Sequence, residues 1–317
     1  MSTIVASDEV RARVDRALRG KRTDVPGRVF STVLLLTLLA SLAVLGVLLW
    51  TTVDEALPVF RERGWDFVTS DTSSLASRAG VYQGLVGSII LIGFVAVIAL
   101  PAGIAAAVYL EEYARDTKLN RILITNIRNL AGVPSIVYGI LGLVGFVQTL
   151  RGVTGPGGGQ LGLSYVSGGA TLAVLVMPIV ILVTMEALRA VPRSIREGAY
   201  GVGATRWEMV RSHVLPYAAP GIFTGAILAL ARAFGETAPL LLVGATTGFF
   251  SNPSGQNALE VLQGFYTALP TLVYSWSRLP RGDWGPNVSA AIIVLLVTIL
   301  IVNAVAILLR NRYERKW

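Results

Sequence analysis

Apolar runs long enough to cross a bilayer alternate with polar segments along the whole chain. The first, Val29 to Trp50, spans 22 residues. As a helix it covers ~33 Å, enough for the hydrocarbon, and Trp50 at its far end suits the headgroup layer. Five more spans are predicted, over about Val81–Tyr109, Ile122–Leu150, Ala170–Leu188, Ala218–Gly244 and Val288–Leu309. Pro101 and Gly103 predict a kink in the second. The fold class is therefore all-α, a polytopic membrane protein with six transmembrane helices.

The polar segments divide the chain further. Residues 1–28 form a basic tail, either solvated or lying as a short helix on the membrane. It is too long and too mixed in charge for the n-region of a secretory signal, and no small-residue cleavage site follows the apolar run after it. Residues 51–77 read as an extramembranous loop with one short helix at most, and 78–317 as the core. Gly152 to Gln160 is a glycine-rich turn, and Thr246–Asn287 a long loop. In that loop Ala258, Leu259, Val261, Leu262, Phe265, Tyr266 and Leu269 share one helical face, which Pro270 is expected to end. Tyr274, Trp276 and Trp284 follow, as an interfacial aromatic belt or a docking platform for an extracytoplasmic partner.

The stretch Glu186–Pro220 is polar and basic between two apolar runs, yet helical in pattern. Pro192 suits a first turn, where its missing N–H costs nothing. Gly201 and Gly203 interrupt the helix, and Thr205 with Glu208 reads as a capping box that restarts it. Pro216 and Pro220 are expected to close the second helix. The prediction is a helix–turn–helix elbow at the membrane surface.

Composition supports the membrane reading and excludes much else. Hydrophobic residues make up 53% and charged residues only 15%, against about 25% charged in a soluble domain; the mean hydropathy is +0.64. The chain has no cysteine and one histidine, His213, which removes disulfides, thiolate metal sites, a histidine zinc site and a Ser-His-Asp triad. No metal site and no catalytic residue are expected. The net charge of +8 reflects topology. The N-terminal tail holds seven Lys or Arg, the segment Arg115–Arg121 three, the elbow five and the C-terminal tail four, nineteen in all. The opposite loops hold six, and Arg128 and Arg232 lie within spans. This asymmetry predicts both termini and the elbow in the cytoplasm, and no nucleic-acid partner is needed.

Arg232 and Glu236 fall near the middle of the fifth predicted span, four residues apart and so on one helix face. A charge at that depth costs at least ~2.5–3.5 kcal/mol and normally faces the bundle interior or a water path. The pair is either a structural lock between helices or part of a substrate path, and the second is preferred. Arg128, two turns inside the third span, either lines the same path or snorkels to headgroups. Asn126 and Asn129 beside it are able to hydrogen-bond between helices.

Glu197-Gly198-Ala199, then Gly203, then Leu215-Pro216 resembles the EAA loop of ATP-binding-cassette (ABC) importer permeases, departing at Gly198 and at His213. RAFGETAPLLLVGA (232–245), NLAGVPSIVYGILGL (129–143), VYLEEYA (108–114) and ALPTLVYSWSR (268–278) resemble the phosphate-specific members of the binding-protein-dependent transport system inner membrane component family. Gly235-Glu236-Thr237-Ala238-Pro239 is similar to the PstA rather than the PstC branch. The resemblance runs from about residue 78 to the C-terminus. It implies a type I importer permease fold in a bacterial or archaeal cell membrane, paired with a homologous PstC-like permease. It also implies two copies of a PstB-like cytoplasmic ATPase and a PstS-like extracytoplasmic phosphate-binding protein. Glu197, Gly198, Ala199, Gly203, Ala204 and Thr205 would then couple to the ATPase, and Arg232, Glu236, Thr237, Arg128, Asn126 and Asn129 would line the path.

No Walker A sequence is present, and lysine occurs only at 21, 118 and 316. ATP and magnesium therefore belong to the partner ATPase; this chain is expected to bind no cofactor and to be no enzyme itself. An intramembrane enzyme would need a convergent acid–base set that the spans lack. A passive anion channel would not need the elbow. A permease for sulfate or another oxyanion, or a PstC-type phosphate permease, is the nearest alternative.

Overall fold

The computed structural model describes residues 25–153, 161–245 and 261–313, and every regular element within them is helical. The first 24 residues of the basic tail, most of the glycine-rich turn, the start of the amphipathic stretch and the last four residues lie outside the described residues. By its internal contacts the chain divides after Thr51 into two units. The first unit holds the greater part of α1 (Val25–Glu62), and the most apolar window of that helix has no buried side chain. The Leu, Val and Phe side chains of α1 within this unit are exposed, as a helix solvated by lipid requires.

The second unit, from Thr52, is a helical bundle. Its centre is α6 (Tyr165–Arg189), with fifteen of 25 residues buried. Against it lies α3 (Tyr82–Val108, extended by a π-turn over Tyr109–Tyr113). The buried positions of α3 include Gly84, Ser88, Leu91, Val95, Ala99, Gly103 and Ala107, a stripe of mostly small residues three or four apart. Small residues let backbones approach where lipid provides no hydrophobic drive between helices. Gly169 shows the closeness: a Cβ there would collide with the ring of Phe94. On the other side α6 packs on α9 (Leu215–Gly235) through Gly225, where a Cβ would meet Val183.

Several elements depart from the sequence reading. The polar loop expected from residue 51 begins as helix: α1 continues to Glu62 and is followed by α2 (Trp65–Thr69). Hydropathy marks where an apolar run stops, whereas the helix runs on through TTVDEALPVFRE, with Pro58 inside it, because Ala56 and Val59 bury against the bundle end. The third predicted span is two helices, α4 (Lys118–Ala131) and α5 (Ser135–Gly142, continued by a π-helical stretch Leu143–Gln148), bent by 102°. Gly132 caps α4, and Pro134 restricts the preceding Val133 away from helix.

Pro216 and Pro220 do not end the elbow's second helix. It starts as α8 (Arg206–Met209), passes through a π-turn over Val210–Val214 and runs on as α9. The widened π-turn just ahead of Pro216 relieves the clash its ring would cause in a regular helix. The fifth span breaks at its other end. Helix α9 stops at Gly235, Glu236 is extended, and the short α10 (Ala238–Leu242) follows.

At the end of the bundle away from the elbow, Pro270 opens a helix instead of closing one, in the first turn of α11 (Leu269–Ser277). Trp276 and Trp284, read as belt or platform, are buried, their rings 5.2 Å apart, in a cluster with Phe67, Ala79 and Leu272. Only Tyr274 of that aromatic set is exposed, beneath the guanidinium of Arg278. The last helix, α12 (Arg281–Tyr313), begins seven residues before the predicted span and carries Pro286 inside it.

Candidate functional site

Two helix breaks and the elbow hold the candidate residues. The breaks are neighbours: α5 packs on α10, and a Cβ at Gly139 would lie 2.7 Å from the Pro239 Cα. At the first break the Tyr138 hydroxyl donates to the Leu130 carbonyl at 2.9 Å, reaching back across the bend to the end of α4, where that carbonyl also accepts from the Val133 N–H at 3.1 Å. At the second, Arg232 lies in the last turn of α9, where the helix dipole favours a cation. Its Nε sits 3.3 Å from Glu236 Oε1. The exposures differ: the Arg232 side chain is 46% exposed and that of Glu236 15%.

The pair is thus not on a continuous helix face as predicted. Glu236 is the C-cap of α9, with an extended backbone. Ending the helix there lets the carboxylate fold back onto the arginine, which among the described residues leaves most guanidinium N–H groups uncommitted. Tyr138, absent from the sequence-derived candidates, stands within electrostatic range of Arg232. Its sequence signal was the tyrosine four residues beyond a Val-Pro break. Thr237 caps α10 through its main chain, its carbonyl accepting from Leu241 at 3.1 Å, with no side-chain cap.

The three candidates on α4 are placed differently. Ile124 and Ile127 turn towards Ala107, Ile181 and Met185, while Asn126, Arg128 and Asn129 are exposed. Asn126 donates to the Ile122 carbonyl at 2.9 Å. Among the described residues no hydrogen bond or ion pair joins these three to Arg232 or Glu236. Helix α4 itself is capped by Thr117, which accepts from the Asn120 N–H at 3.3 Å. Arg121 grips Asp116 through two hydrogen bonds of 2.8 and 2.9 Å, and this guanidinium holds the Asp116 carboxyl below its ordinary value. The pair is exposed and fixes little.

Irregular backbone at membrane depth persists only where protein covers it or water reaches it. Two adjacent breaks, one lined by a half-exposed guanidinium, can therefore stabilise an anion in passing. Beyond α5 a cavity of about 510 Å³ opens, with Gln148, Arg151 and Gln263 as its polar lining.

The elbow follows its local signals. Pro192 is the N-cap of α7 (Arg193–Gly201), and Gly203 turns the chain with φ +84°. The capping box is complete: the Thr205 N–H donates to Glu208 Oε2 at 2.8 Å, and the Glu208 N–H to Thr205 Oγ1 at 3.3 Å. Glu197, Gly198, Gly203 and Thr205 are exposed at the turn, Ala204 is half-buried, and Ala199 is buried against Met209 and Val210. Val202 and Trp207 are also exposed on either side of the glycine. The sequence reading missed both as parts of this surface. Exposed apolar residues flanking a capped turn make a ready contact for another protein.

Comparison with known proteins places this arrangement. The phosphate transport system permease protein PstA of Xylella fastidiosa (strain 9a5c) is 34% identical over 264 residues, covering 83% of this chain and 85% of that protein. PstA 1 of Mycobacterium tuberculosis (strain H37Rv) is 33% identical over 257 residues, 78% of each chain. Among solved structures, a bacterial alginate ABC transporter shares the fold with a TM-score of 0.63 at 16% identity, covering 90% of this chain and 96% of that one. The family described as "Binding-protein-dependent transport system inner membrane component" matches residues 99–317. That match takes in both helix breaks and the whole elbow, and the chain belongs to this family of ABC transporter permease subunits.

Proposed function

We propose that the chain is the permease subunit of an ATP-driven phosphate importer. The observation that carries the reading is the Arg232–Glu236 pair at a helix break, in a chain whose relatives include PstA proteins. Phosphate crosses as a mono- or dianion, and its transfer into an apolar path is prohibitive unless its charge is met. Arg232 meets it with a planar fork suited to an oxyanion. Glu236 holds the guanidinium when the path is empty and repels the anion once it has arrived, so that the site stays weak.

Leu228, one turn before Arg232, is 67% exposed. A cation beside it cannot face acyl chains cheaply, so a second, homologous permease covers this face and completes the path. The turn at Glu197–Thr205 docks on a cytoplasmic ATPase, present in two copies for two permeases. A phosphate-binding protein delivers substrate on the opposite side. The test is phosphate uptake in cells lacking the native chain, with sulfate as control: restored phosphate uptake without sulfate uptake is expected, and sulfate uptake alone would reassign the substrate.

Both termini and the elbow lie in the cytoplasm on this reading. Because the chain has no cysteine of its own, single introduced cysteines report the topology. Ser277→Cys, exposed at the end of α11, is expected to react with an impermeant thiol reagent in intact cells. Arg115→Cys, exposed between α3 and α4, is expected to react only after the membrane is opened. The reverse pattern would invert the topology.

A further inference from the structure

The π-turn that ends α3 carries Glu111-Glu112-Tyr113, and each of these consecutive residues holds an arginine from a different limb of the elbow. Glu111 binds Arg189, at the end of α6, through Nε at 2.9 Å. Glu112 binds Arg196 of α7 at 2.7 Å. The ring of Tyr113 lies under the guanidinium of Arg206, the first residue of α8, at 5.1 Å. A regular helix would turn three successive side chains away in different directions; the widened turn and the chain's exit at Ala114 let all three meet one surface.

The middle contact is the strongest. Glu112 is a buried carboxylate, 7% exposed, and Arg196 is 21% exposed. Arg196 also donates to the main-chain carbonyls of Leu188, at 2.9 Å, and Val191, at 2.8 Å. Leu188 belongs to the last turn of α6, and its carbonyl also accepts from the Val191 N–H at 3.2 Å. One planar guanidinium thus joins three elements, α3, the end of α6 and α7. A lysine has a single point of charge and cannot reproduce that fork. Apolar packing closes around it, with Leu188, Val191, Ala199, Met209 and Val210 against Val108 and Tyr113.

We infer that Glu111-Glu112-Tyr113 is a clasp that makes the elbow and α3 move as one body, with Glu112 as its positioning residue. Displacement of the elbow is thereby delivered to α3, which packs along the central helix α6, as well as to α9. The inference rests on the proposal that the elbow docks on an ATPase.

The test uses the complete transporter in a bilayer, its other subunits free of cysteine. Spin labels at Arg115→Cys and Ser194→Cys report the separation of the α3 exit and α7 with and without a non-hydrolysed ATP analogue, and the ratio of phosphate moved to ATP hydrolysed is measured alongside. With Glu112 intact the separation is expected to stay the same in both nucleotide states. Glu112→Gln is expected to make it change with nucleotide and to lower the ratio about fivefold or more, the span of a coupling free energy between two sites. Arg196→Lys is expected to do the same, and it carries the test if Glu112→Gln does not assemble. A separation that changes with nucleotide while Glu112 is intact overturns the clasp by itself. So does a normal ratio in an assembled Glu112→Gln complex. A complex with Glu112 intact that hydrolyses no ATP in response to phosphate would remove the proposed function first, and the clasp with it.

Discussion

Arg232→Gln is expected to abolish phosphate uptake while the permease still inserts and assembles with its partners. Glutamine keeps some hydrogen bonding but removes the positive charge proposed to offset the anion at the α9 break. Two charge-assisted hydrogen bonds contribute about 3–6 kcal/mol, so uptake should fall about a hundredfold or more. Arg232→Lys is expected to recover little, because the charge returns without the fork. Radiolabelled phosphate uptake, normalised to assembled complex, measures both. If Arg232→Gln transported at the wild-type rate, the pair with Glu236 would be a structural lock and the path would run elsewhere.

Gly203→Val is expected to uncouple the transporter. Gly203 has φ +84°, in the left-handed region, where an L-residue costs roughly 1–2 kcal/mol and a β-branched one more. No neighbouring atom lies within 4 Å of where a Cβ would stand, so the chain's own packing does not resist the substitution. The damage falls on the turn between α7 and α8 and on the exposed surface proposed to meet an ATPase. Assembly and insertion should therefore survive, with phosphate-stimulated ATP hydrolysis lost. A Gly203→Val complex that couples normally would show the elbow to be only a connector.

How much of this was legible in the sequence depends on the range of the interaction. The elbow was legible because capping box, glycine turn and N-terminal proline act within four residues. The spans were legible as apolar runs, but their breaks were not. Gly132-Val133-Pro134 and Gly235-Glu236-Thr237 sit inside runs whose average hydropathy hides them, and the contact of Gly139 with Pro239 joins positions a hundred residues apart. The tryptophans at 276 and 284 look interfacial by type; only the fold shows that they bury each other. Glu112 and Arg196 lie 84 residues apart, beyond any local pattern.

Arg206–Gly235 is one helix of 30 residues, a rod of about 45 Å. Trp207 stands at its foot and Arg232 near its tip, so the surface offered to a cytoplasmic partner and the charge at the helix break are two ends of one lever. A tilt of about 5° about its foot would carry the tip by ~4 Å at that length. Glu236, whose N–H donates to the Ala233 carbonyl at 3.3 Å, rides on that tip, so both charges of the pair move together. Leaning the rod would therefore shift the whole Arg232–Glu236 pair against the neighbouring break at Gly139 and Pro239.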